Sequence, residues 1–169
     1  MKNIVLTGFM GTGKSVVGRI LSEKLSYTFI DSDSLIEEEQ QESITEIFKK
    51  YGEAAFRDIE AEIISRLSAL EKAVISTGGG AVLRKSNIEN LRKKGVIVCL
   101  TAKAETILSR VENSDERPLL QTDNQLEKIR ELLIIREPYY KNADLSIETD
   151  GKNPEEIAAE ILENLAEKI

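Results

Sequence analysis

Apolar residues along this chain fall into five short runs, separated by longer stretches in which they recur every three or four positions. The runs are Ile4-Val5-Leu6, Phe29-Ile30, Ala73-Val74-Ile75, Val96 to Leu100 and Leu145-Ser146-Ile147. The first, third and fourth are β-branched and nearly continuous, as strands buried on both faces of a parallel sheet are. Val17, Ile20, Leu21 and Leu25 keep helical spacing, as do Ile36, Ile44, Ile47 and Phe48, then Phe56, Ile59, Ile63, Ile64 and Leu67. The pattern continues through Ile88 and Leu91, Ile107 to Val111, Leu126 to Leu133, and Ile157 to Leu165. This alternation predicts an α/β fold, a three-layer domain in which a five-stranded parallel sheet is flanked by helices. The 169 residues suit one such domain over 1–169, with no repeat or linker.

Helix starts are marked as well. Ser43-Ile44-Thr45-Glu46 and Ser86-Asn87-Ile88-Glu89 read as capping boxes, and Asn153-Pro154-Glu155-Glu156 sets a capping amide before a proline and two acids. The polar stretch Glu112 to Arg117, closed by Pro118, reads as a mobile loop.

Composition narrows the chemistry. There is no His or Trp, and one Cys, Cys99. A Ser-His-Asp or Cys-His relay is excluded, the usual zinc ligands are missing and no internal disulfide can form. Acid–base work falls to Asp, Glu, Lys or Tyr. With 30 acidic and 23 basic residues the net charge is −7, so no basic footprint for nucleic acid dominates. The apolar runs are of strand length, and Met1 to Leu6 leads straight into a glycine-rich segment. The expectation is a cytoplasmic protein with neither membrane span nor signal peptide. Nothing in the sequence calls for more than a monomer.

Gly8-Phe9-Met10-Gly11-Thr12-Gly13-Lys14-Ser15 satisfies G-x-x-x-x-G-K-[ST] between a strand and a helix. Glycines permit a tight loop whose N–H groups converge on phosphate, a lysine reaches the β/γ-phosphates, and the hydroxyl of Ser15 ligates Mg²⁺. The Asn-Lys-x-Asp guanine signature is absent, and the size suits a small-molecule kinase of the P-loop NTPase fold.

Asp31 and Asp33 follow the second strand. Two apart on an extended segment, they would point the same way and face the phosphate loop if their strands are neighbours; alternatively Asp31 or Ser32 caps the next helix. Gly78-Gly79-Gly80 ends the third strand, either as a flexible turn or as a place where a ligand approaches closely, and its position at a strand's C-terminal end favours the ligand. Arg57, Arg117 and Arg136 read from periodicity alone as solvated side chains, Arg57 in a surface ion pair with Glu60 and Arg136 closing a helix before Pro138.

Six segments taken together resemble the shikimate kinases along nearly the whole chain. They are Gly8 to Ser15, Asp31-Ser32-Asp33, Ser43 to Phe48 leading to Gly52 to Glu60, Thr77 to Gly80, Arg117-Pro118-Leu119-Leu120, and Arg136 to Tyr140 with Ala143-Asp144. The departures, Gln41-Glu42 where a glycine is common and Cys99 where a large aromatic is frequent, avoid catalytic positions. The resemblance implies ATP-dependent phosphorylation of the 3-hydroxyl of shikimate, with Mg²⁺ as cofactor and ATP and shikimate as partners. It implies that Arg57 and Arg136 hold the shikimate carboxylate, that Asp33 contacts the reacting hydroxyl, and that Gly79 and Gly80 lie against the substrate. Asp31 takes the Mg²⁺ side beside Ser15, and the nucleotide lies on Gly11, Thr12, Gly13, Lys14, Ser15 and Val16. Arg117 closes over the phosphates from a lid at about 112–124, the substrate helices span about 32–60, and Arg110, with Lys152 and Pro154, falls where adenine packs. The rivals are another small-metabolite kinase, such as a gluconate kinase-like enzyme, and a non-catalytic module that binds nucleotide or shikimate as a regulator.

Overall fold

A computed structural model describes residues 2–112 and 123–166. Strand β1 (Asn3–Thr7) leads into helix α1 (Lys14–Leu25), β2 (Thr28–Asp31) into α2 (Ser32–Gln40) and α3 (Ile44–Leu67). Then come β3 (Ala73–Ser76), a 3₁₀ turn (Ala81–Leu83), α4 (Lys85–Arg92), β4 (Gly95–Thr101), α5 (Ala104–Val111), α6 (Gln125–Tyr140), β5 (Leu145–Glu148) and α7 (Pro154–Leu165). The strands pair in parallel in the order β2-β3-β1-β4-β5, the five-stranded sheet that the hydrophobic pattern predicts.

Side chains of the central strands alternate between two cores. Ile4, Leu6, Val96, Val98 and Leu100 pack with Val17 and Leu21 of α1 and Ile157, Ile161 and Leu165 of α7. Val5, Ile75 and Ile97 face Ile36 of α2, Phe56, Ile63 and Ile64 of α3 and Leu91 of α4. Burial of each such side chain stabilises by about 1.5–3 kcal/mol, so the sheet's C-terminal edge is a rigid platform. A third cluster, including Phe9, Cys99, Ile107, Ile129 and Tyr140, extends under the phosphate loop. Burial pushes the Cys99 thiol up, leaving it a protonated filler of this cluster.

Both cores need the helix starts to be well placed. Ser43 and Asn153 form the expected capping boxes with Glu46 and Glu156. The box expected at Ser86 does not form: α4 begins at Lys85, two residues before the start that a cap at Ser86 would give, behind Arg84 with no side-chain cap. At Gly52 (φ 84°, ψ 171°) the long α3 segment breaks into two helices. The expected stop before Pro138 is also corrected, since α6 runs through it to Tyr140. The carbonyl that this proline leaves without its helical N–H belongs to Ile134, a residue 72% exposed, so the gap falls on the solvent side of the helix. Among the described residues no helix is long and apolar enough to cross a membrane.

Candidate active site

The loop between β1 and α1 winds through three glycines at positive φ, Gly8 (132°), Gly11 (77°) and Gly13 (91°). At Gly8 a side chain is doubly excluded, because its Cβ would also run into the carbonyl of Leu100. Thr12 is buried and its hydroxyl donates to the Phe9 carbonyl at 2.8 Å, pinning the loop on itself. Lys14 is only 9% exposed, and its Nζ donates to the carbonyls of Gly8 and Phe9 at 2.8 and 2.9 Å. Helix α1 starts on Gly13 with no side-chain cap and no acid in its first turn, whereas side chains of Asp31, Ser43, Asn124 and Asn153 cap α2, α3, α6 and α7. With no side-chain cap and no acid there, the positive end of the helix suits an anion.

A cleft of about 330 Å³ opens over this loop, lined by Gly11, Gly13, Lys14, Ser15, Val16, Asp31, Asp33 and Gly79 among others. The carboxylates reach it differently from the extended-strand expectation. Strands β1 and β2 are not neighbours, because β3 lies between them. Asp33 sits in the first turn of α2, not on the strand, because Asp31 ends β2 by accepting from the N–H groups of Asp33 and Ser34 at 3.0 and 3.2 Å. The other oxygen of Asp31 accepts from the Ser15 hydroxyl at 2.5 Å. Asp31 thus does both jobs weighed for it, capping a helix and facing the phosphate loop.

The glycine triplet is where the remaining charges converge. A Cβ on Gly78 would come within 2.6 Å of an Asp33 carboxylate oxygen and 2.9 Å of Glu60 Oε1. One on Gly79 would be 3.4 Å from Arg136 Nη1, and one on Gly80 would collide with the Arg57 guanidinium. These are close approaches of charged groups to bare backbone, so the triplet is no mere flexible turn. The Gly78 N–H donates to Ser32 Oγ at 3.2 Å, which ties the triplet to α2.

The expectation of solvated arginines fails for two of the three. Arg136 is 2% exposed, its guanidinium 5.5 Å over the Phe9 ring. Arg57 pairs with Glu53 at 3.3 Å and with Glu60 at 2.9 Å, and it is mostly withdrawn from solvent, its side chain being 13% exposed and that of Glu60 1%. Burial pushes the Glu60 carboxyl up, against the downward pull of the Arg57 charge. Arg57 Nε, Glu60 Oε1 and Arg136 Nη1 are buried and have no hydrogen-bond partner among the described residues. Buried donors of this kind are normally matched, and two charged ones beside one backbone loop suit a carboxylate or phosphate.

Arg110 stands behind the loop and donates to the Gly11 carbonyl at 2.8 Å and to Thr149 at 3.4 Å. Lys152 pairs with Glu160 at 2.6 Å and Pro154 opens α7, so neither is brought into the cleft lining. Arg117 and the expected lid, apart from residues 112, 123 and 124, lie outside the described residues.

From the sequence, Glu60, Ser32 and Tyr140 stand out only as an ion-pair partner, a possible cap and part of a motif, with no role in the site, although a signal for Glu60 is there. It occupies a core position of the stripe Phe56, Glu60, Ile63, Ile64 and Leu67, all buried. Arg136 likewise falls between Ile129 and Tyr140 on the buried face of α6. A charged residue on an apolar stripe marks a buried, partnered charge.

The chain matches the family model described as shikimate kinase over residues 10–166. It is 49% identical over 162 residues to the shikimate kinase of Thermodesulfovibrio yellowstonii, covering 96% of this chain and 94% of that one. Its fold superposes with a TM-score of 0.96 on the shikimate kinase from Acinetobacter baumannii in complex with shikimate, at 39% identity, covering 100% of this chain and 96% of the other. A gluconokinase from Sinorhizobium meliloti shares the fold alone, with a TM-score of 0.60 at 20% identity, over 98% of this chain and 92% of that one. With a near-complete match in sequence and in backbone, this chain belongs to the shikimate kinase family.

Proposed function

We propose that the protein transfers the γ-phosphoryl group of ATP to the 3-hydroxyl of shikimate, giving shikimate 3-phosphate and ADP. One observation carries the substrate assignment: the buried guanidiniums of Arg57 and Arg136 meet at Gly79-Gly80, each with an unpartnered donor nitrogen. A planar fork suits a carboxylate, and the pair would hold that of shikimate beside the cleft. Gly79 and Gly80 offer bare backbone to the ring, and Asp33, on the same side of the triplet, faces the hydroxyls.

In the reaction the 3-oxygen attacks the γ-phosphorus, the bond to the β-phosphate oxygen breaks, and the hydroxyl proton passes to Asp33. The transition state is loose, so charge neutralisation and alignment contribute more than proton abstraction. Lys14, the backbone N–H groups of Gly11 to Val16 and the end of α1 supply that field, and family resemblance adds Arg117. Arg110, bonded to the Gly11 carbonyl, would pack against the nucleotide base as the family resemblance implies.

Ser15 and Asp31 offer hard oxygens at the end of the loop, 2.5 Å apart. Among the described residues no group of three or more His, Cys, Asp or Glu could hold a metal by itself. This sparse oxygen set fits Mg²⁺, which keeps waters and takes phosphate oxygens as ligands. Ser15 would bind it directly and Asp31 through water; when bound it withdraws charge from the β- and γ-phosphates.

A steady-state assay coupled to ADP release tests the assignment. With ATP and Mg²⁺ present, kcat/KM for shikimate is expected to exceed that for gluconate by more than about a hundredfold: both carry a carboxylate for the arginines, but the rigid ring of shikimate sets its hydroxyl at Asp33 whereas the open chain of gluconate must first be ordered and then misplaces it. Equal values, or a preference for gluconate, would overturn it.

A further inference from the structure

Helix α6 carries two buried polar residues one turn apart, Arg136 and Tyr140. Tyr140 is 8% exposed, and its hydroxyl donates to the Gly79 carbonyl at 2.7 Å. We propose that Tyr140 is a positioning residue for shikimate, its hydroxyl fixing the Gly79–Gly80 peptide at the carboxylate end of the site. The inference rests on the shikimate reading above.

The argument turns on what the hydroxyl holds. Gly79 and Gly80 have no side chains to restrict rotation of the peptide plane between them. Carbonyl and N–H of one peptide point in opposite directions, so fixing the Gly79 carbonyl also aims the Gly80 N–H. On either side the chain is tied through Gly78, whose N–H donates to Ser32, and through the Gly80 carbonyl, which accepts from Leu83 at 3.1 Å. Tyr140 adds the tether on Gly79 itself, from a helix 61 residues away in sequence. The same helix turn delivers Arg136, so one rigid element sets both a guanidinium and the peptide next to it. Burial pushes the phenol up to about 12, with Arg136 pulling the other way, so the group remains a donor at neutral pH.

Tyr140→Phe removes the hydroxyl and keeps the ring in its cluster with Phe9, Ile88 and Cys99. Because the part-buried Gly79 carbonyl loses its donor and the peptide is free to turn, KM for shikimate is expected to rise about five- to tenfold. KM for ATP and kcat should stay within about twofold of the unsubstituted enzyme. Calorimetric titration with shikimate alone should show a matching loss of affinity, and a thermal melt confirms that the variant is folded. A purely structural tyrosine would move both substrates together or neither; equal rises in the two KM values, or a shikimate KM within twofold of the parent, overturns the proposal. If the unsubstituted enzyme does not phosphorylate shikimate, it is the functional reading that fails, which the parent assay shows separately.

Discussion

Asp33→Asn is expected to lower kcat by about a hundred- to ten-thousandfold while leaving ATP affinity within about twofold, because it removes the charge and proton acceptor but little volume. The backbone under the side chain stays where it is, since the Asp33 N–H is held by Asp31 at 3.0 Å. The Asp31–Ser15 contact at the phosphate loop is equally untouched. The loss should therefore fall on turnover and not on nucleotide binding. Steady-state kinetics with each substrate varied, together with titration of ADP, would separate the two. Turnover near that of the parent would remove Asp33 from the mechanism.

The second large effect is expected at Arg136. Arg136→Ala takes one arm from the carboxylate clamp in a buried setting, and truncating a buried charge pair commonly costs about 2–5 kcal/mol. KM for shikimate should rise about a hundredfold or more, with KM for ATP nearly unchanged. The side chain is 2% exposed and lies over Phe9, so a melt must accompany the kinetics to exclude a loosened core. An unchanged apparent affinity for shikimate in a folded variant would contradict the clamp.

These two residues also show what a sequence reveals and what it hides. The phosphate loop is fully legible, because each of its positions is required by the chemistry of the loop itself. The strand and helix pattern is nearly as clear, and so are the caps at Ser43 and Asn153, where local hydrogen bonding decides the outcome. Asp33 lines the cleft beside the phosphate loop, but not by the extended-strand geometry that the spacing suggests. Its position on α2 follows from the cap made by Asp31, and its access to the cleft follows from β3 lying between β1 and β2. Strand order depends on long-range pairing that no local pattern encodes.

Arg57 and Arg136 were harder still. Charge alone suggests a solvated side chain, and the buried partnership of Arg57 with Glu60 appears only when α3 packs on the glycine triplet. Family resemblance assigned both to the substrate where periodicity did not. Capping chemistry misled at Ser86, where packing of Ile88 and Leu91 begins the helix earlier than the serine would.

The acidic balance of the chain, −7 overall, makes local placement of positive charge necessary for two anionic ligands. Lys14 lines the cleft together with Gly79, and Arg57 and Arg136 stand against the triplet, which is where the proposed reading needs it. On the proposed reading, phosphate takes the Lys14 end of the site and carboxylate the arginine end, with the reacting hydroxyl between them at Asp33.

The most direct test is the position of the new phosphate. After incubation with ATP, Mg²⁺ and shikimate, phosphorus–proton coupling in the NMR spectrum of the product should place the phosphate on the 3-oxygen alone. Phosphate on another ring oxygen, or ADP formed with no phosphorylated shikimate, would contradict the account.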